Sequence, residues 1–344
     1  MGDVELVPYK VEHWAYAGDS IARRGFQKAG SPHNTDIGSY VAKFSGGRVK
    51  FDNYGRSCDT TDGMLGKQKI RGERKDSIAK VLKGNYEGII IEIGVNDLGG
   101  SGGTEQNWKK KLAKMRRNIM EMYLRACIKG TAAVGQQEVP GKIEEAIAAI
   151  EKKEKNVLGQ LDSCRAKNMR IEALVLEDKR LELVDRKEIL KTMHGLYGRL
   201  AGNRRGLQKG AKRIVFVEVA PWKHKNASTK KAGQRALRTR EYNTMLKSVG
   251  REINGIFEGP DDPRFEVAEI HGIMGSKEDK EVLRQEYVGK RVDGKEDYLH
   301  FGDAGRRRVA LEITKLILEG REVRESVPQK GGSAKKAPAV IAYR

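Results

Sequence analysis

The chain has 344 residues, 67 Lys+Arg against 47 Asp+Glu and a formal net charge of +20. That length suits one domain with a large insertion, or two domains, and it can bury a sizeable core. Three cysteines (Cys58, Cys127, Cys164) are an odd count at spacings that fit neither a disulfide framework nor a zinc site. No apolar run approaches the ~18 residues of a membrane span. Met1 to Glu5 shows no basic, apolar leader, so the expected location is cytoplasmic; a secreted form with its signal removed would read the same. The basic surface is compatible with a polyanionic partner, nucleic acid included, although no nucleic-acid motif supports one.

In chain order, short apolar runs alternate with helical patterns. Strands are expected over Val11–Ala17, Val49–Tyr54, Ile89–Ile93, Ile214–Val219 and Phe265–Ile270, with a last helix over Ala304–Leu318. The first three end at Gly18, Gly55 and Gly94. Alternation of this kind predicts a parallel sheet covered on both faces. In open parallel sheets, chemistry collects at the carboxyl ends of the strands.

The gap between the third and fourth strands is too long for one crossover. A helix is expected over Thr104–Lys129, then a Gly/Gln/Pro loop over Gly130–Gly141, then about 60 helical residues. Ile143, Ile147, Ile150, Val157, Leu161 and Cys164 follow heptad spacing; Leu176, Leu183, Leu190 and Tyr197 repeat at seven. One straight helix would run about 90 Å and still have to return to the sheet, so a hairpin turning near Cys164–Arg170 is expected. Such an arm suits a homo-oligomer contact, presentation of substrate or a self-packed hairpin. The expected division is therefore an α/β domain of residues 1–103 and 211–322, a helical insertion of 104–210 that projects from it, and a basic tail of 323–344 without fixed structure.

Charge is uneven. Lys142–Arg199 carries 13 basic and 11 acidic residues, whereas Arg204–Arg240 carries 12 basic and one acidic. The segment Trp222–Arg240 reads as a basic loop beside the strand ends. It would steer an anionic substrate.

Four short segments carry candidate chemistry. Gly18-Asp19-Ser20 puts a hydroxyl at the end of the first strand, where a helix is expected to begin. Asp297-Tyr298-Leu299-His300 reads as a loop that spaces a carboxylate to meet Nδ1 of a histidine, leaving Nε2 as a base. His271, at the end of the fifth strand, is the rival base. Gly94-Val95-Asn96-Asp97 offers an amide, and Gly55 a backbone N–H, toward an oxyanion.

In chain order, the four segments resemble the blocks of the SGNH (GDSL-type) serine hydrolases, over residues 11–100 and 211–320. Tyr242-Asn243, opening a helix after the fourth strand, also fits. The resemblance implies a three-layer α/β/α, flavodoxin-like domain with a five-stranded parallel sheet. It implies Ser20 as nucleophile, His300 as base and Asp297 as its orienter. The oxyanion hole would be the Ser20 and Gly55 N–H groups and the Asn96 amide, with no metal or cofactor. A serine esterase acting on an O-acetyl or other acyl ester follows, its substrate a carbohydrate, lipid or small-molecule ester. The alternatives are an acyltransferase with the same triad, or a catalytically idle scaffold binding polyanions. Two features depart from the family: Cys58 stands near where its second block usually carries glycine, and the coiled-coil insertion has no counterpart in a minimal member.

Overall fold

The structure, a computed structural model, describes residues 10–22, 36–70, 72–99, 104–128, 138–201, 211–221, 230–258, 263–278, 280, 282–290, 295–318, 323–324 and 340–341. Five strands form one parallel sheet: β1 (Glu12–Gly18), β2 (Val49–Asn53), β3 (Gly88–Glu92), β4 (Arg213–Val217) and β5 (Arg264–Ala268), in the order β2-β1-β3-β4-β5. The two-residue period of each strand divides its side chains between two cores. Ala15, Ala17, Ile89, Ile91, Ile214 and Phe216 face one side; Trp14, Tyr16, Ile90, Val215 and Val217 face the other. All are essentially buried, so both faces must be covered.

Helix α1 (Ile37–Phe44) and the last helix, Asp303–Ile317, cover the Trp14 face. The opposite face is covered by α2 (Thr61–Met64), α3 (Ser77–Val81), α4 (Val95–Gly99), α5 (Glu105–Ile128) and, after the insertion, a helix over Lys230–Asn254. The domain is thus a three-layer α/β/α sandwich of the flavodoxin-like type.

The insertion forms α6 (Glu138–Ala166) and α7 (Arg170–Ala201). They turn at residues 167–169, where Asn168 adopts φ +57° and the Met169 N–H reaches the Cys164 carbonyl at 2.9 Å. Asparagine tolerates this left-handed conformation, so it closes the helix. The heptad residues of the two helices bury against each other: Ile143, Ile150, Val157 and Leu161 with Leu183, Leu190 and Tyr197. Only the far end of the hairpin projects. From Glu182 onward α7 packs on the domain, with Arg116–Asp185 joining it to α5 and Arg186–Glu252 (2.6 Å) to the Lys230–Asn254 helix.

Five expectations need correction. Of the 104–210 insertion expected to project, α5 instead covers the sheet, because Met115, Ile119, Met122 and Tyr123 are buried in its core. The loop expected over Gly130–Gly141 gives way to α6 at Glu138. The helix after β4, here α8, begins at Lys230, not at Tyr242. Most of the expected basic loop is therefore helical, and its residues 222–229 lie outside the described set. The reason is a helical period that the run of lysines and arginines masked: Ala236, Thr239, Tyr242, Leu246, Val249 and Ile253 are all buried. Next, Asp297 and His300 lie on a strand. After α9 (His271–Met274), β6 (Val288–Lys290) pairs antiparallel with β7 (Glu296–Phe301), and Phe301 anchors that strand in the Trp14-side core. The helix Asp303–Ile317, α10, follows at once. Finally, the helix expected from Ser20 is a turn over residues 20–22, and the residues beyond lie outside the described set. So does most of the expected tail, where Val323–Arg324 pairs antiparallel with Val340–Ile341.

Candidate active site

The site is built where β1, β2 and β3 end. At the end of β1, a Cβ on Gly18 would sit 2.1 Å from the Glu92 carbonyl, so only glycine lets the chain turn this close to β3. Asp19 N–H then donates to that carbonyl at 3.2 Å, which fixes the turn carrying Ser20. At the end of β3, Gly94 takes φ +123°, and a Cβ there would meet the Tyr242 ring at 2.6 Å. Tyr242 Oη donates to the Ile93 carbonyl at 2.8 Å. Next to it, Asn243 bonds both the N–H and the carbonyl of Val219, each at 2.9 Å. Tyr242 and Asn243 thus clamp α8 to two strand ends.

Ser20, His300 and Asp297 meet in one line. Ser20 Oγ lies 2.9 Å from His300 Nε2, and His300 Nδ1 lies 2.8 Å from Asp297 Oδ2. The backbone N–H groups of Leu299 and His300 donate to Asp297 Oδ1 at 3.0 and 3.1 Å. Burial would raise the Asp297 pKa, but the imidazole bond and charge, with those two N–H groups, outweigh it and hold the carboxyl below its usual range. An ionised Asp297 keeps hydrogen on Nδ1 and leaves Nε2 able to accept from Ser20. His271 turns its Nδ1 to the Val219 carbonyl at 3.0 Å instead.

The oxyanion side is arranged differently from expectation. Gly55 N–H donates to Asn53 Oδ1 at 2.8 Å, so it would have to leave that bond to reach an oxyanion. Asn96 Nδ2 donates to the Asp59 carbonyl at 2.8 Å; an amide nitrogen carries two hydrogens, so one bond leaves the other. Between these points the Arg56 N–H is held by the Gly18 carbonyl at 2.8 Å, and Cys58 has φ +65°. That is the left-handed region glycine favours, so Cys58 keeps a glycine-like turn in spite of its side chain.

Sequence reasoning missed the acids behind the site. Asp19, Asp59, Glu92 and Asp97 are all buried. Burial, with the neighbouring Glu92 charge, pushes Asp19 well above its ordinary pKa. Burial raises Glu92 to about 7, although Tyr16 Oη donates to it. It raises Asp59 and Asp97 to about 6, against bonds from Ser77 and Thr61 respectively. Thr61 donates to Asp97 through N (2.9 Å) and Oγ1 (3.0 Å), which ties α2 to α4 beneath Asn96. Spacing carries no signal for these groups, because their meaning comes from what surrounds them.

No protein-family model and no curated protein sequence matches the chain. Among solved structures it is similar to an aryl esterase from M. smegmatis, with 11% identity and TM-score 0.43 over 89% of this chain and 98% of that one. It is similar to a carbohydrate acetylesterase from Sinorhizobium meliloti, with 11% identity and TM-score 0.44 over 89% and 98%. A catalytic mutant of an acetylxylan esterase from Geobacillus stearothermophilus aligns with 14% identity and TM-score 0.37 over 90% and 95%.

Proposed function

We propose that the chain is a serine ester hydrolase working through an acyl-enzyme on Ser20. The observation that carries this reading is the Ser20–His300–Asp297 line, with bonds of 2.9 and 2.8 Å. His300 Nε2 takes the hydroxyl proton as Ser20 Oγ attacks the ester carbonyl carbon. The carbonyl oxygen becomes an oxyanion facing the Ser20 N–H and the Asn96 amide. Collapse breaks the bond to the alcohol oxygen, which leaves with the proton from His300. Water then attacks the acyl-enzyme, gives its proton to His300, and Ser20 recovers it as the acid departs. Asp297 holds the imidazole and offsets its charge at each transfer. Every proton and electron pair is accounted for by these groups and water. An alcohol in place of water would turn the same cycle into acyl transfer.

The test is hydrolysis of p-nitrophenyl acetate and longer-chain p-nitrophenyl esters by wild-type protein and by Ser20→Ala. Turnover by the wild type alone supports the reading. Equal rates for both proteins would overturn it.

A further inference from the structure

A polar cavity of about 370 Å³ opens beside the turn that follows β2. Gly55 and Arg56 form one wall; Glu73, Lys75 and Lys80 stand around the rest. Three cations and one acid therefore face the same space. Lys75 pairs with Glu73, which leaves Arg56 and Lys80 as the excess of positive charge.

Arg56 is held rather than mobile. Its guanidinium donates to the carbonyls of Lys75 (3.1 Å), Ile70 (3.0 Å) and Glu73 (3.1 Å). These acceptors are neutral, so the cation is fixed in place without being cancelled by a carboxylate bond. Its backbone N–H bonds the Gly18 carbonyl at 2.8 Å, two residues before Ser20. The cavity wall and the nucleophile thus hang from one backbone joint. By contrast, Arg238, in the basic segment expected to steer substrate, is buried and lies 5.1 Å from the Trp108 ring centre.

We propose that this cavity holds an anionic group carried by the substrate, a carboxylate or phosphate a few atoms from the scissile carbonyl. The inference rests on the esterase reading and names the class of its substrate. A fixed guanidinium and a nearby ammonium attract such a group, and bulk salt weakens that attraction.

The experiment measures binding without turnover. The Ser20→Ala protein is titrated calorimetrically with 4-acetoxybenzoate, with its neutral methyl ester and with 4-acetoxyphenyl phosphate, at low and high salt. The anions should bind more tightly than the methyl ester, and high salt should shrink the difference. Whichever of carboxylate and phosphate binds more tightly is the anion that the cavity favours. Adding Lys75→Ala and Lys80→Ala should cut the anion-to-ester affinity ratio about tenfold, roughly threefold per exposed lysine. Removing the same charge from the arm, with Lys152→Ala and Lys153→Ala, should leave the ratio unchanged. Equal affinities for anion and methyl ester would overturn the proposal. So would a ratio that survives loss of the cavity lysines, or one that falls as far with the arm lysines. Turnover of the methyl ester by the wild type is read separately. A wild type that leaves it intact contradicts the esterase reading, not the binding result.

Discussion

The crest of the sheet buries charge, whereas the far end of the α6–α7 hairpin exposes apolar side chains. Behind Ser20, four carboxyl groups lie in the interior beside the strand ends. At the hairpin tip, Ile171, Leu174, Val175 and Leu181 are 76%, 69%, 63% and 55% exposed. Each region inverts the usual partition of polar and apolar groups. At the crest the inversion costs stability and is offset by bonds such as Thr61 to Asp97; groups held this way keep a turn or a proton in place. At the tip little is offset and little is spent, because a projecting helix needs only the face it shares with its partner. Leu176, Leu183 and Leu190 lie on that shared face of α7; Ile171, Leu174 and Val175 lie on the other. Perturbations should therefore be large and chemical at the crest, and small at the tip.

The largest effect is expected at His300, the proposed base. His300→Ala should lower kcat for p-nitrophenyl acetate by about 10³-fold or more while the protein keeps its circular dichroism spectrum. A loss under tenfold would break the assignment of Nε2 as base. Asn96→Ala should cost about 10²–10³ in kcat, with a smaller change in KM, if its amide meets the oxyanion. A variant that lost only stability would reduce Asn96 to a brace for the Asp59 carbonyl.

Stability should also depend on pH through the crest. Glu92 titrates near 7 when folded against an ordinary 4.5, so between those values the folded chain holds a proton that the unfolded chain has lost. Stability then falls as pH rises from about 4.5 through about 7, by on the order of 3 kcal/mol from this group. Asp59 and Asp97 act in the same direction. Urea midpoints at pH 5 and pH 8 should show the fall, and Glu92→Gln should reduce it, leaving the share from Asp59 and Asp97. A midpoint that rises over this range would contradict the buried-acid account.

The smallest effect sharpens the contrast within α7 itself. Leu190→Ala, at a site 1% exposed, should cost about 2–5 kcal/mol in urea unfolding. Ile171→Ser or Leu174→Ser should stay within about 0.5 kcal/mol. A tip substitution as costly as Leu190→Ala would mean that something covers the exposed face.

Much of this was legible in the sequence because it rests on local rules. Glycines at strand ends and apolar runs marked the five strands to within two residues, and heptads marked the hairpin, although α6 begins at Glu138 inside the expected Gly130–Gly141 loop. The turn at Asn168 falls inside the expected Cys164–Arg170 segment. Asp297 and His300 were legible as a pair, since three residues along a chain suffice to bring Oδ2 to Nδ1. Their strand was not, because β6 is three residues long and leaves no alternation to read. The start of α8 was hidden by charge: Arg235, Arg238 and Arg240 look like a loop until the buried Ala236 and Thr239 between them are counted. Gly55 N–H turns toward Asn53, a side chain two residues away, and no motif encodes that choice. The buried acids were invisible for the reason that makes them interesting: burial is a property of the fold.

The central claim is that Ser20 becomes the acylated nucleophile. Its most direct test is intact-mass analysis after treatment with a fluorophosphonate probe, followed by mapping of the modified peptide. The account predicts a single adduct on Ser20, absent from Ser20→Ala and strongly slowed in His300→Ala. A folded protein that takes up no probe, or takes it up at another residue, would contradict it.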